Sequence, residues 1–341
     1  MSGNHFPPGR EMQGGAPFPL TRRGPEEVPL AAVDLEDLPF SPGPPRDLAA
    51  LAASLAAVGV LAPPHLREKS PGAYQVVAGR RRLAAARELG WPTMPAYILP
   101  AGTPEVACLL LSLHDNAAAR PLNPWEQAFY AARLAEHFSP EEVTRRYLPL
   151  LGLAPAPRLF ARLVAAAGLA DPWPSRIAAG SLSLSAAARL ARWPPPARAA
   201  AWPFLGTLPF SHRTQEEFLE GLELLARRRG VEVTALLLDP EISAPLADPA
   251  LSPGERAEAV RRRLKELLFP ELTRAMARFR EGLKTLGLAG HPRLRLEPPP
   301  ALEGPDFLLT LKFADARELK QLLAEVEHLA AREAFARLVE E

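Results

Sequence analysis

The stretch from Ala73 to Gly90, A-Y-Q-V-V-A-G-R-R-R-L-A-A-A-R-E-L-G, constrains the fold of this chain most. Tyr74, Val76 and Ala78 alternate as in a strand, Gly79 interrupts, and Arg80 to Leu89 reads as an alanine- and leucine-rich helix stopped by Gly90. The helix opens on three arginines, Arg80, Arg81 and Arg82, where the macrodipole already leaves partial positive charge and unpaired N–H groups. Cations are poorly placed there unless an anion joins them. A phosphate would draw helix N–H groups and guanidinium forks onto one point. The alternative is a solvated basic turn.

With 341 residues the chain has room for two or three domains, each with its own core. Its formal net charge is only +1, so contact with nucleic acid has to come from local patches. The single cysteine, Cys108, sits in the apolar helical run V-A-C-L-L-L and reads as a buried thiol, which excludes a disulfide framework and Cys/His zinc spacing. No basic-then-apolar leader and no run long enough to cross a bilayer is expected, so a reducing cytoplasm fits.

Residues 1–26 have no hydrophobic period and read as a disordered arm. Val28 to Val33 is a candidate strand. Leu48, Leu51, Ala52, Leu55 and Val58 recur at helical spacing, with Asp47 able to cap and Gly59 able to stop. Strands are expected at His65–Glu68, Tyr74–Ala78 and Thr93–Leu99, which completes a small mixed α/β unit over 27–120. A helix from Glu105 then delivers His114, Asp115 and Asn116. Asn123-Pro124-Trp125-Glu126 and Ser139-Pro140-Glu141-Glu142 are helix starts, each with a capping residue, proline at the first position and glutamate three after the cap.

From there to about residue 230 the pattern is all-helical. Glu141–Leu148 and Arg158–Ala167 could form a helix-turn-helix joined around Gly152. Arg145, Arg146, Arg158 and Arg162 are its candidate DNA contacts, while Leu159, Phe160, Leu163 and Val164 read as core. The segment 231–290 reads as linker and helices, with Asp239–Pro253 as the linker. The tail, 291–341, alternates at Arg293–Glu297 and Phe307–Phe313 and then shows a long helical pattern over Arg317–Val339. It is expected to form a ββα module whose sheet edge favours pairing with a second copy. The fold class expected is therefore α+β.

Three pieces of the sequence, in order, resemble ParB-type chromosome and plasmid partition proteins. They are L-A-A-L-A-A-S-L-A-A-V-G-V-L-A-P at Leu48–Pro63, G-R-R-R-L-A-A-A at Gly79–Ala86, and D-N-A-A-A-R-P-L-N-P-W-E-Q-A at Asp115–Ala128. The family has Gly-Glu-Arg-Arg at the second place and Glu-Asn-x-Gln-Arg followed by Leu-x-Pro-x-Glu at the third. The resemblance implies that Gly79, Arg81 and Arg82 hold the phosphates of CTP, with Gly59 and Ala62 in the segment near the base, and Arg80, standing at the box glutamate, adds positive charge to that cradle. It also implies that Asn116 helps bind Mg2+ and that Asp115, in place of the family glutamate, supports hydrolysis. Partners implied are DNA, a second copy of the chain in a nucleotide-closed clamp, and a ParA-type Walker ATPase, in the nucleoid of the cytoplasm.

Three departures stand out. Arg80 replaces the glutamate of the box, Ala118 and Ala119 replace the Gln-Arg pair, and Ala62 stands where the family often has glutamine. The substitutions at Arg80, Ala118 and Ala119 favour a second reading, a transcription regulator or adaptor that binds nucleotide without turnover. A third, sulfiredoxin-like chemistry, needs an activated cysteine near the phosphate cradle, which the setting of Cys108 does not supply. The separate acid/base reading of His114 beside Asp115 lacks a nucleophile at motif spacing.

Overall fold

The computed structural model describes residues 20–37, 39–43 and 48–340, and the expected arm over 1–19 and the cap at Asp47 lie outside them. The chain divides into two compact units. The first reaches to Gly206 and includes Phe210–Glu216, and the second comprises Thr207–Pro209 and the chain from Glu217 onward.

The first unit is built on a five-stranded sheet of β1 (Arg23–Pro29), β2 (Val33–Asp34), β3 (His65–Ser70), β4 (Ala73–Ala78) and β5 (Thr93–Leu99), in the order β1-β5-β3-β4-β2. β1 already begins at Arg23, so the end of the expected arm is strand. The expected strand Val28–Val33 is split by a 3-10 turn at Leu30–Ala32. β3 pairs antiparallel with β4 and parallel with β5, setting Leu66 against Val76 and Ile98. Gln75 to Ala78 are buried without alternation, because β4 is covered on both faces.

Two helices, α1 (Ala49–Val58) and α2 (Arg80–Glu88), pack together over one face, where Val76, Leu83, Ala85, Ala86, Met94, Ala96 and Ile98 form a core with Leu55. α3 (Glu105–Ala119) packs against β4 and buries Val106 to Leu110 and Leu113. Cys108 is fully buried, and burial pushes its thiol up to about 11. α2 ends as its sequence demands. Gly90 takes φ +72°, its N–H bonds Arg87 O at 3.0 Å, and Trp91 N–H bonds Ala86 O at 3.0 Å. Arg87 then ties the helix to the sheet edge by donating to Leu30 O and Val33 O, both at 2.9 Å.

α4 (Pro124–Ala135) starts on a complete capping box between Asn123 and Glu126. The first helix expected for the helix-turn-helix is not a single α-helix. It is α5 (Pro140–Glu142) running into a π-helical turn at Val143–Tyr147, followed by a 3-10 turn and Gly152 at φ +76°. Tyr147, at the end of this turn, is buried against Phe138 with ring centroids 4.8 Å apart. The second expected helix forms as α6 (Pro157–Ala167), with Phe160 and Leu163 buried. Then come α7 (Trp173–Ala178), α8 (Leu184–Leu190) and α9 (Pro195–Leu205), the last starting within the proline run Pro194–Pro196, because proline is tolerated in a helix's first turn.

α10 (His212–Arg229) leads into the second unit. The expected linker Asp239–Pro253 is largely helical. α11 (Val233–Leu238) is followed by α12 (Pro240–Ala247), which Asp239 caps by accepting from Glu241 N at 2.8 Å. The proline and aspartate that suggest a linker are thus a helix start. α13 (Pro253–Leu268) and α14 (Pro270–Thr285) follow. The tail forms an antiparallel pair, β6 (Leu294–Glu297) and β7 (Leu308–Leu311), and two helices, α15 (Ala316–Ala330) and α16 (Glu333–Glu340). The single helix expected over Arg317–Val339 breaks after Ala330, and Leu338 of α16 reaches back to α14 at Gly282. Phe279, Leu286, Leu294, Leu296, Leu322 and Leu329 make the core of this module. The α+β class expected from sequence is the class observed.

Candidate functional site

At the C-terminal end of β4 the chain passes through Gly79 directly into α2. Gly79 has φ +89°, and a Cβ there would lie 2.7 Å from Pro64 Cβ and 2.9 Å from Pro64 Cα. Only glycine satisfies both the backbone and the space. No side chain caps the helix, and its hydrogen-bond ladder begins with Arg82 N–H to Gly79 O at 2.9 Å. The N–H groups of Arg80 and Arg81 come before that first bond, at the positive end of the dipole.

This helix start borders a cavity of about 920 Å³, lined by Arg80, Arg81, Arg82 and Arg120 against the carboxylates of Asp115, Glu126 and Asp171. The volume suits a ligand of nucleotide size. The three box arginines hold different positions. Arg80 Nη1 donates to Gly43 O at 2.6 Å while its Nε is buried without a partner, and that burial lowers its pKa. Arg81 is exposed. Arg82 donates to Ala62 O and, through Nη2, to Asp115 Oδ2 at 3.1 Å, so the second and third motifs of the sequence meet in one ion pair.

Asn116, one residue on, turns its amide inward. Nδ2 donates to Ser112 O at 2.9 Å and to Tyr130 Oη at 3.0 Å. Asn116 and Asp115 present oxygens of the kind a hard divalent cation takes, and a bound anion and water would have to supply the rest. Among the described residues no cluster of three or more His, Cys, Asp or Glu side chains could hold a metal unaided.

Of the other residues singled out in the sequence, Ala62 lines the cavity and Gly59 does not, although Gly59 takes φ +73° at the end of α1. His114 is exposed. Arg145, Arg146, Arg158 and Arg162 are exposed and away from the cavity, with Arg146 near Glu142 at 3.5 Å. Arg158 and Arg162 lie four apart and so share one face of α6.

The cavity also contains residues that the motifs do not announce. Arg120 grips Glu126 with both Nη atoms, at 2.7 and 2.5 Å, and Glu126 Oε2 accepts the capping bond from Asn123 N at 2.9 Å. The pair raises the pKa of Arg120. Trp125 Nε1 donates to Pro42 O at 2.9 Å and so pins the segment Ser41–Gly43 to the rim. Asp171, Pro174 and Ser175, at the start of α7, supply a further wall. The one sequence signal that could have found Arg120 is its place between the Asp115-Asn116 pair and the strong helix start at Asn123.

Beside the ion pair, His65 stacks on Tyr97 with ring centroids 5.1 Å apart and lies 2.7 Å from Arg22 Nη1. Burial, with the Arg22 charge next, holds its pKa below the usual histidine value.

Comparison with known proteins bears on this region. A family model described as "ParB N-terminal domain" matches residues 26–114. A nucleoid occlusion protein of Geobacillus thermodenitrificans is 35% identical over 89 residues, 26% of this chain and 31% of that protein. A probable chromosome-partitioning protein ParB of Pseudomonas putida is 33% identical over 94 residues, 28% of this chain and 32% of that protein. The corresponding protein of Chlamydia muridarum is 33% identical over 120 residues, covering 32% and 42%. The chain thus spans about a third of the length of the first curated relatives it matches.

Among solved structures, C-terminally truncated ParB from Caulobacter crescentus complexed to the centromeric parS site is similar at 26% identity, over 57% of this chain and 98% of that one, with a TM-score of 0.30. The same protein complexed with CTP-gamma-S is similar at 28% identity, over 53% and 97%, with a TM-score of 0.24.

Proposed function

From the match of residues 26–114 to the ParB N-terminal domain model, we propose that this chain is a nucleotide-responsive DNA-binding protein of chromosome or plasmid partition, and that its cavity takes CTP. The observation that carries the reading is the convergence of the α2 N-terminus, Arg80, Arg81 and Arg82 on a cavity that also holds Asn116. A triphosphate there receives backbone N–H groups, the helix dipole and guanidinium forks together. Arg82 would exchange part of its contact with Asp115 for phosphate. Asn116, with phosphate oxygens, would hold Mg2+, whose charge neutralises the polyphosphate.

DNA binding is assigned to the helical part, through Arg145, Arg146, Arg158 and Arg162 on the surface around α5 and α6 in a helix-turn-helix arrangement, with phosphate contacts dominating. Partnership in this reading extends to a second copy through the C-terminal ββα module and to a ParA-type Walker ATPase, with action on the nucleoid in the cytoplasm. No helix among the described residues is long and apolar enough to cross a membrane.

Calorimetric titration of CTP with Mg2+ into the full chain tests the core of the proposal. Saturable binding that is lost in an Arg81→Ala/Arg82→Ala double variant is expected. Absence of binding, or binding indifferent to both arginines, overturns it.

A second reading, a regulator or adaptor that binds nucleotide without turnover, is favoured by a specific observation. Asp115 is tied to Arg82 at 3.1 Å, and Arg80 stands where the family has glutamate. Phosphate release from CTP distinguishes the two, since turnover that depends on Asp115 supports weak CTP hydrolysis and its absence supports the regulator.

A further inference from the structure

Beneath the cavity floor lies a buried polar chain that crosses from α4 through α3 to the segment around Phe40. Ser112 Oγ donates to Phe40 O at 2.6 Å and lies 2.9 Å from Tyr130 Oη, which is 3.0 Å from Asn116 Nδ2. Ser112 is 1% exposed and Tyr130 0%. Donor and acceptor counting fixes every proton in this chain. Phe40 O is a carbonyl and can only accept, so the single Ser112 hydroxyl proton is spent on it. Ser112 Oγ must therefore accept from Tyr130, and the Tyr130 oxygen must accept from Asn116 Nδ2. The second Asn116 N–H goes to the Ser112 carbonyl at 2.9 Å, which again can only accept.

Both amide protons of Asn116 are thereby committed to the protein interior. The ambiguity that usually attends an asparagine amide is removed. Asn116 lines the cavity and its Oδ1 receives no hydrogen bond from any described residue, so the carbonyl is the end presented to a ligand. Flipping the amide would set Oδ1 against the Ser112 carbonyl, acceptor against acceptor, and take from Tyr130 Oη the N–H it accepts.

We infer that Tyr130 and Ser112 are positioning residues that lock the Asn116 carbonyl toward the cavity as a ligand for a divalent cation accompanying a bound polyphosphate. The inference rests on the nucleotide reading above and adds to it Tyr130, which does not line the cavity, and Ser112, which is buried at its wall. A hydrogen-bonded group behind a metal ligand fixes its orientation, and its loss typically costs about 10–100-fold in metal affinity. Tyr130→Phe keeps the ring and its packing while removing the hydroxyl that receives Asn116 Nδ2. Ser112→Ala removes the relay to Phe40 with a smaller change in volume.

The test uses the full chain with CTP and Mn2+, reading free Mn2+ by electron paramagnetic resonance at saturating CTP, alongside calorimetric CTP affinity measured in chelator. About a tenfold weaker Mn2+ affinity in Tyr130→Phe, with metal-free CTP affinity within twofold of the parent, is the expected result. Unchanged Mn2+ affinity in a folded variant, or an equal loss of metal-free CTP affinity, overturns the positioning role. Should Tyr130→Phe fail to fold, Ser112→Ala carries the same expectation and the same refutation.

Failure of the parent chain to bind CTP counts against the proposed function and leaves the amide lock separately testable. With selective 15N-asparagine labelling, both Asn116 side-chain protons are expected to be protected from solvent exchange in the parent and one to be released in Tyr130→Phe. Rapid exchange of both in the parent refutes the lock.

Discussion

Replacing Gly79 with alanine perturbs the hinge on which the cavity is built, and its cost can be worked from two independent terms. The residue sits at φ +89°, in the left-handed region, where a Cβ costs about 1–2 kcal/mol. The new methyl would also lie 2.7 Å from Pro64 Cβ and 2.9 Å from Pro64 Cα, closer than real Cβ atoms come. Pro64 Cα is backbone and cannot rotate away, so relief requires a backbone shift of the kind that overpacking imposes, about 1–3 kcal/mol. The sum is about 2–5 kcal/mol.

Gly72 is the internal control. It has φ +76° with nothing within 4 Å of its virtual Cβ, so Gly72→Ala bears only the conformational term of about 1–2 kcal/mol. Hydrogen–deuterium exchange of the full chain, read on peptides covering β4 and α2, localises the effect to this part of the first unit. At a factor of ten per 1.4 kcal/mol, Gly79→Ala should accelerate exchange there by about thirtyfold to several thousandfold, and Gly72→Ala by about tenfold. Equal effects of the two variants would remove the Pro64 contact from the account. No effect of Gly79→Ala would refute the hinge argument altogether.

Three further outcomes are expected. Asp115→Asn removes the internal carboxylate that shares Arg82 with any incoming phosphate. Because this pair is partly exposed and worth at most about 1 kcal/mol, metal-free CTP affinity by calorimetry should tighten by no more than about fivefold, and weakening would contradict the competition. His65 is held below its ordinary value of 6.5, so the unfolded chain takes up protons before the folded one, and stability falls as pH drops below about 6.5. Thermal unfolding of His65→Gln should lose less stability than the parent between neutral pH and pH 5, and an identical loss would clear His65 of that role. Cys108, fully buried with its thiol raised to about 11, should react with a thiol-specific disulfide reagent only as fast as the first unit opens, and immediate reaction at pH 7.5 would contradict its burial.

Much of the first unit was legible in its sequence because the signals involved are local. The β4–Gly79–α2 passage, the Gly90 stop and the Asn123-Pro124-Trp125-Glu126 start each depend on residues within about four positions of one another, the range over which caps and positive-φ glycines act. The same locality misled elsewhere. Asp239 and Pro240 are a helix start and a linker signature alike, and only burial of Leu236, Leu237 and Ile242 decided for helix. The continuous apolar pattern over Arg317–Val339 carried no sign of the turn that separates α15 from α16.

The site divides along the same line. Sequence alone named Arg82, Asp115 and Asn116, since their motifs can be read in order along the chain. Their meeting was a tertiary event, joining residues 33 positions apart, as was the bond from Trp125 to Pro42 across 83 positions. Arg120 is marked only by its place between the Asp115-Asn116 pair and the Asn123 helix start, and the Tyr130–Ser112–Phe40 chain carries no local signature. A buried donor is satisfied by whichever acceptor the fold brings within about 3 Å, and that choice is made by packing and not by spacing along the chain.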